Sequence, residues 1–285
     1  MRFSLTQRKL ANLAVATSVA ACSTRDQRPA PPHPTEHMQP AIETRVTLTP
    51  YFRGLRTVSL RVNGAEYTFL VDTGGGRTLI TPEVAAEFGC EPRGRDIAYR
   101  MSGEQVVFQN CPRLQGTLSS FAFQVAPVAV FDLNSLLPPE LPRLHGLLAL
   151  DSFRGQVVTL DWAKNLLLLH SPVDAAVAVA SHGLPIRLAT GENGSALSVL
   201  VPVRGAQDQM WFLLDSGNVK GTLVARHVLE DGSIQADSNA LVLLRVGNQR
   251  PESLKVIPDD INYDGVLGTQ FLETHVITLD LRNAP

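Results

Sequence analysis

Aromatic residues make up only 6% of this 285-residue chain. That leaves too few to build the stacking platforms on which nucleic-acid bases are read. Neither sign of charge dominates: 25 Lys and Arg face 27 Asp and Glu, a formal net charge of -2. Electrostatic capture of a polyanion is therefore not expected, and no nucleic-acid partner is inferred. No apolar run reaches the roughly 18 residues a bilayer-spanning helix needs. Cysteine is scarce, with three in the chain and no Cys-x-x-Cys spacing, so a thiolate metal site is not expected. The pattern GxxxxGK[ST] is absent, and no GxGxxG follows an apolar strand, which argues against a phosphate-cradling loop.

What is present is ordinary for a globular protein, at 44% hydrophobic and 18% charged residues. The length allows one large domain or two small ones with a real core. The start, MRFSLTQRK followed by LANLAVATSVA, reads as an export signal over residues 1–21: basic residues, a modest apolar stretch, small residues at its end. The adjoining VAAC, Val19 to Cys22, resembles the lipobox of bacterial lipoproteins. That resemblance implies cleavage before Cys22, acylation of its thiol, and a lipid anchor. Ser23 in place of Asp implies the outer membrane, with the body facing the periplasm. Residues 22–41 are proline-rich and poor in apolar side chains, which describes an extended tether. His33 and His37 lie there, but a pair at that spacing needs a helix that the prolines deny. In an oxidising compartment, Cys90 and Cys111 either pair or lie buried apart.

Beyond the tether, helical periodicity is rare. Short alternating or continuous apolar runs such as TVSLRV, YTFLV, FAFQVAPVAVF, VVTLDW, LSVLVPV and HVITLDL are separated by turn residues, a mainly β pattern. Two short helices are expected, over TPEVAAEFG (81–89) and VARHVLED (224–231).

Self-similarity organises these runs. With Asp72 laid over Asp215, an offset of 143, TVSLRVNGAEYTFLVDTGG aligns with LVPVRGAQDQMWFLLDSGN. Each reads strand, polar turn, apolar strand, then an acid, a hydroxyl residue and Gly. A second pair of blocks follows in the same order, HGLLALDSFRGQVVTLD from His145 and DGVLGTQFLETHVITLD from Asp264. Asp-Ser/Thr-Gly alone turns up by chance about once in ten chains of this length. Two copies with matching strands before and matching blocks behind mark an internal repeat of one β unit.

The segments FLVDTGG, FLLDSGN, GLLALDSF and GVLGTQFL together resemble the aspartic proteases of the pepsin and retroviral-protease type, especially bacterial retropepsin-like proteins. The resemblance spans about 42–283. It implies two homologous β-barrel lobes with few short helices and a cleft between them. The first lobe is expected over 42–173, a linker over 174–190 and the second lobe over 191–285. It also implies one catalytic carboxylate per lobe, Asp72 and Asp215, on loops supported by Thr73, Gly74, Ser216 and Gly217. The hydroxyls of Thr73 and Ser216 would cross-brace the loops, and no cofactor or metal is required.

The chemistry fits the residue types. Two carboxylates held about 3 Å apart cannot both ionise cheaply, so they share a proton, and one activates water while the other polarises a carbonyl. From Asp72 to Gly146 is 74 residues, but from Asp215 to Gly265 only 50. The surplus around IAYRMSGEQVVFQ (97–109) reads as a single flap hairpin with its turn at Ser102 and Gly103, and Tyr99 and Met101 are candidate cleft contacts. An extended peptide substrate would pair along cleft and flap. With both half-sites in one chain, a monomer with pseudo-twofold symmetry is expected.

Two departures stand out, Ala149 where the family usually has Gly, and the triple glycine Gly74 to Gly76. His145 and Asp151 read as structural, and Asp161 and Asp280 as residues that close a strand. The leading expectation is an aspartic endopeptidase of the cell envelope. The alternatives are a non-catalytic retropepsin-like lipoprotein that binds peptides or proteins, and a purely structural protein.

Overall fold

The computed structural model describes residues 2–7 (backbone only), 43–180, 183–191, 194–205, 209–235, 237 and 240–284. Cys22, the tether 22–41 and most of the segment read as an export signal lie outside these residues. The fold is mainly β, with three sheets and a few short helices. A ten-stranded sheet runs from Thr49–Pro50 to Gly146–Leu148 and forms the first lobe. A seven-stranded sheet from Arg187–Ala189 to Gly265–Leu267 forms the second. Strand alternation explains the lobe walls. Val58, Leu60 and Val62 point inward from Arg56–Val62, while Ser59 and Arg61 face water.

The third sheet joins the lobes. Its six strands are Arg2–Gln7, Thr44–Thr47, Val157–Asp161, Leu166–Leu169, Leu184–Pro185 and His275–Asp280. At its centre the two TLD strands, one from each repeat, pair antiparallel with Thr159 opposite Thr278, and the two hydroxyls lie 2.7 Å apart. These two threonines are repeat equivalents, so the pseudo-twofold axis passes between them. Asp161 accepts a hydrogen bond from Lys164 N (3.1 Å), and Asp280 clamps Arg282, so each carboxylate finishes its strand.

Three boundaries differ from the sequence reading. The expected linker 174–190 is structured, with a helix over Pro172–Ala180 and two short strands, the second of which already belongs to the second lobe's sheet. The last strand of each repeat leaves its own lobe, because it finds its hydrogen-bond partner in the other copy. Arg2–Gln7, read as the charged start of an export signal, pairs as a strand with His275–Asp280 and Leu184–Pro185. Its sequence RFSLTQ alternates polar and apolar residues, which suits a strand as well as a signal.

Both expected helices are present but shorter, Pro82–Glu87 and Arg226–Glu230. Proline opens the first, and Gly89 at φ +65° closes it. The hairpin Arg93–Tyr99 and Gln105–Cys111 has no second-lobe counterpart. In lobe one Arg61 pairs with Thr117 beyond the hairpin; in lobe two Val203 and Arg204 pair with the strand that directly follows the helix. The hairpin is therefore an insertion in one repeat. A disulfide between Cys90 and Cys111 ties its base to the end of the helix.

Candidate active site

Each acidic loop is fixed from behind by the Gly-apolar-apolar block of its own repeat. Gly146–Leu148 runs parallel to Ala65–Val71, and Leu148 O accepts a hydrogen bond from Asp72 N at 3.0 Å. Gly265–Leu267 runs parallel to Gln209–Leu214, and Leu267 O accepts from Asp215 N at 3.0 Å. The two blocks recur together in each repeat because the strand that carries each acid needs the later strand beside it.

The loops then lock onto one another across the axis. Thr73 N donates to Ser216 Oγ (3.0 Å), and Ser216 N donates to Thr73 Oγ1 (3.0 Å). Thr73 Oγ1 donates to Leu214 O (2.8 Å), and Ser216 Oγ donates to Val71 O (2.9 Å). Both residues are buried, so all four bonds work where an unpaired group is costly. Only a hydroxyl, which donates and accepts at once, can close this lattice.

Locking the loops brings Asp72 and Asp215 face to face, with a hydrogen bond between their carboxyls. Asp72 is half-buried, whereas Asp215 is 5% exposed. Gly74 N and Gly75 N each donate to Asp72 Oδ1 at 2.9 Å, and Gly217 N donates to Asp215 Oδ1 at 2.8 Å. Glycine is required beneath the pair. A methyl on Gly74 would lie 2.6 Å from Asp215 Oδ1, and one on Gly217 would lie 2.6 Å from Asp72 Oδ2. Burial raises both carboxyls above the ordinary range, and Asp215 well above it because the charge of Asp72 and their mutual hydrogen bond add to burial. Backbone N–H groups pull the other way at both carboxyls, and the two titrate as one coupled pair. A singly protonated pair is the arrangement that can both accept a proton from water and donate one to a carbonyl.

The two lobes brace their loops differently, which accounts for Ala149 and the triple glycine. In lobe two, Asn218 Nδ2 donates to Gly221 O (2.8 Å), and a methyl on Gly268 would come within 2.6 Å of both Asn218 O and Gly221 O. In lobe one the places of Asn218 and Gly221 are taken by Gly75 and Thr78. Thr78 N and Oγ1 both donate to the buried Asp151 carboxylate, at 3.0 and 2.6 Å. Ala149 N donates to Thr78 Oγ1 at 3.0 Å, and the Ala149 methyl joins a small apolar group with Leu55, Leu70 and Leu147. Side chains therefore replace the backbone packing that excludes a methyl in lobe two. Gly76, at φ +70°, turns the loop so that its carbonyl accepts from Leu197 N of lobe two at 2.7 Å.

The flap residues divide. Met101 O accepts a hydrogen bond from Asn262 N (2.9 Å), so the tip bridges to lobe two, and the Met101 side chain is half-buried against the core. Ser102 and Gly103 form the turn, with Gly103 at φ +82° facing the Asn262 amide. Tyr99, read from sequence as a cleft contact, is 66% exposed. It shares a hairpin face with Ile97 and Val107, and the opposite face carries Asp96, Phe108 and Asn110 onto Arg77. The alternation of the strand, not the loop, decides that side.

Sequence reasoning missed Arg77, which ties the flap to the first loop through Asp96 (2.9 Å) and Asn110 (2.8 Å), although it follows the triple glycine directly. It also missed Asn262 and Tyr263, for which no motif signal exists. His145 Nδ1 accepts from Thr68 N (2.9 Å) and so holds a strand.

An aspartyl protease family model matches residues 58–151, the stretch that holds the first acidic loop, the flap and the first Gly block. No curated protein sequence matches the chain. Among solved structures, a basic 7S globulin from soybean is similar at 11% identity and a TM-score of 0.48, over 86% of this chain and 97% of that one. Conglutin gamma, a basic 7S globulin from lupine seeds, is similar at 9% identity and a TM-score of 0.49, over 84% and 95%.

Proposed function

We propose that the chain is a single-chain aspartic endopeptidase that hydrolyses peptide bonds with water activated between Asp72 and Asp215. The observation that carries this reading is the hydrogen-bonded carboxyl pair at the junction of two interlocked loops. A peptide lies extended beneath the flap, and its scissile carbonyl faces the pair. The ionised carboxylate takes a proton from water as the oxygen attacks the carbonyl carbon. The protonated carboxyl donates to the carbonyl oxygen, giving a neutral tetrahedral diol. The carboxyl that took the proton from water then gives it to the amide nitrogen, while the other carboxylate takes a proton from a diol hydroxyl. The C–N bond thus breaks to an acid and an amine, and the pair is singly protonated again. Acylation at Cys22 would hold the enzyme at the envelope on its tether, where it would act as a monomer.

Incubating the full chain and its Asp72→Asn variant with a mixed peptide library from acid to neutral pH tests the reading. Cleavage by the parent that is lost in the variant is expected. Equal cleavage by both, or none by either, overturns catalysis and leaves a peptide-binding module.

A further inference from the structure

The chain has four tyrosines. Tyr51 donates its hydroxyl to Pro142 O (2.6 Å), and Tyr67 donates to Glu87 Oε2 (3.1 Å), so both phenols are structural. Tyr99 lies on the solvent-exposed face of the flap hairpin, 66% exposed, with Ile97 and Val107. Tyr263 is different. It sits in the second-lobe loop immediately before Gly265–Leu267, the strand that holds Asp215 in place. Its ring is half-buried against the apolar core, and its hydroxyl has no hydrogen-bond partner among the described residues.

The neighbours of Tyr263 are those of a substrate site. Asn262 N, one residue before Tyr263, holds the flap tip through Met101 O at 2.9 Å. The loop is therefore where the flap closes. Burial, and after it the negative charge of Asp215, raise the phenol above its ordinary value, which puts the ring within the field of the carboxyl pair. Across the working range of such a pair the hydroxyl stays protonated and is a donor.

We propose that Tyr263 is a substrate-binding residue of the cleft, whose phenol donates a hydrogen bond to the backbone of the extended peptide held under the flap. This rests on the protease reading above. A half-buried phenol with no protein partner gains one when a peptide backbone arrives beside it.

The test uses the full-length chain, with Tyr263→Phe to remove only the hydroxyl and Tyr67→Phe, whose phenol bonds Glu87 away from both acidic loops, as the control. Two quantities are read: kcat and KM on a peptide that the parent cleaves, and Kd for a short peptide in which a secondary alcohol replaces the scissile amide. A bond made equally to bound substrate and transition state acts on binding alone. Tyr263→Phe should therefore raise KM and the Kd of the alcohol peptide by roughly three- to tenfold, the span of one hydrogen bond, with kcat within about twofold. Its melting temperature should match the parent's, and Tyr67→Phe should leave both constants unchanged. If the parent cleaves and Tyr263→Phe keeps parental KM and Kd, the assignment is wrong and the protease reading stands. Equal effects of the two Phe variants also overturn it. If the parent neither cleaves nor binds the alcohol peptide, both readings fall together.

Discussion

Replacing Thr73 with Val keeps the shape of the side chain and deletes one oxygen at the junction of the lobes. That oxygen accepts from Ser216 N at 3.0 Å and donates to Leu214 O at 2.8 Å, and Thr73 is buried. Two hydrogen bonds are lost, each contributing about 0.5–1.5 kcal/mol net, and Ser216 N is left buried without its acceptor at a cost of about 1–3 kcal/mol. Together the loss is about 2–6 kcal/mol, which on a chain of this size lowers Tm by roughly 3–10 °C. Thr73→Ser keeps the oxygen and should cost under about 1 kcal/mol. Urea unfolding of both variants, and of Thr73→Val combined with Ser216→Ala, measures the lattice directly. No bond is common to the two hydroxyls, since each bonds only backbone groups of the facing loop. The double variant should therefore cost about as much as the two single ones together, and any departure reports coupling through the register of the loops. Turnover should fall in Thr73→Val beyond the loss of folded protein, since Thr73 adjoins Asp72. A Thr73→Ser variant as damaged as Thr73→Val, or a Thr73→Val variant as stable as the parent, would refute the idea that these hydroxyls hold the lobes in register.

Asp215→Asn removes the carboxyl whose folded pKa stands well above 3.8. A raised carboxyl stabilises the fold below its unfolded pKa, and that stability is lost as pH rises through the folded value. The variant should therefore be more stable than the parent at neutral pH by thermal melting, with the advantage gone below about pH 3.8; a pH-independent difference would count against the buried pair. For the same reason, parental turnover should decline as pH rises past the Asp215 transition, visible in a kcat/KM profile. Gly268→Ala should destabilise by about 1–3 kcal/mol in urea, because the methyl meets backbone oxygens at 2.6 Å, whereas Ala149→Gly should cost under about 1.5 kcal/mol. Replacing both Cys90 and Cys111 with Ser opens a loop with a sequence separation of 21 and should cost about 3 kcal/mol, read as a lower unfolding midpoint that reducing agent reproduces in the parent.

Much of the site was legible before any coordinates, because repetition carries positional information. An acid, a hydroxyl residue and a glycine recur after matching strands, and the block that must lie beside each strand recurs as well. The offset of 143 that aligns the acids is also the separation of Thr73 from Ser216, which meet across the axis. Glycine at 74 and 217 was readable as a need for space, although what fills the space, the opposite aspartate, was not. The surplus length of the first repeat announced an inserted hairpin.

The residues that escaped have no periodic or motif signal. Strand alternation sets Tyr99 on the exposed face of the hairpin with Ile97 and Val107, a side that nearness to the turn does not specify. Asn262 meets the flap only because a turn from one lobe lands on a loop of the other, some 160 residues away in sequence. Arg187–Ala189, at the end of the expected linker, is a strand because it pairs with Ser198–Leu200 of the second lobe's sheet, a partner that composition does not mark.

The amino-acid sequence by itself determined the β class, the duplication, the two acids and the loops that carry them, since these follow from local patterns of polarity and turn chemistry. Which face of the flap hairpin packs on Arg77, and which loop of lobe two its tip reaches, was decided only in the tertiary structure. So were the mutual burial that raises both carboxyls and the different bracing that accommodates Ala149. Each of these depends on contacts between segments distant in the chain, and no local pattern encodes them.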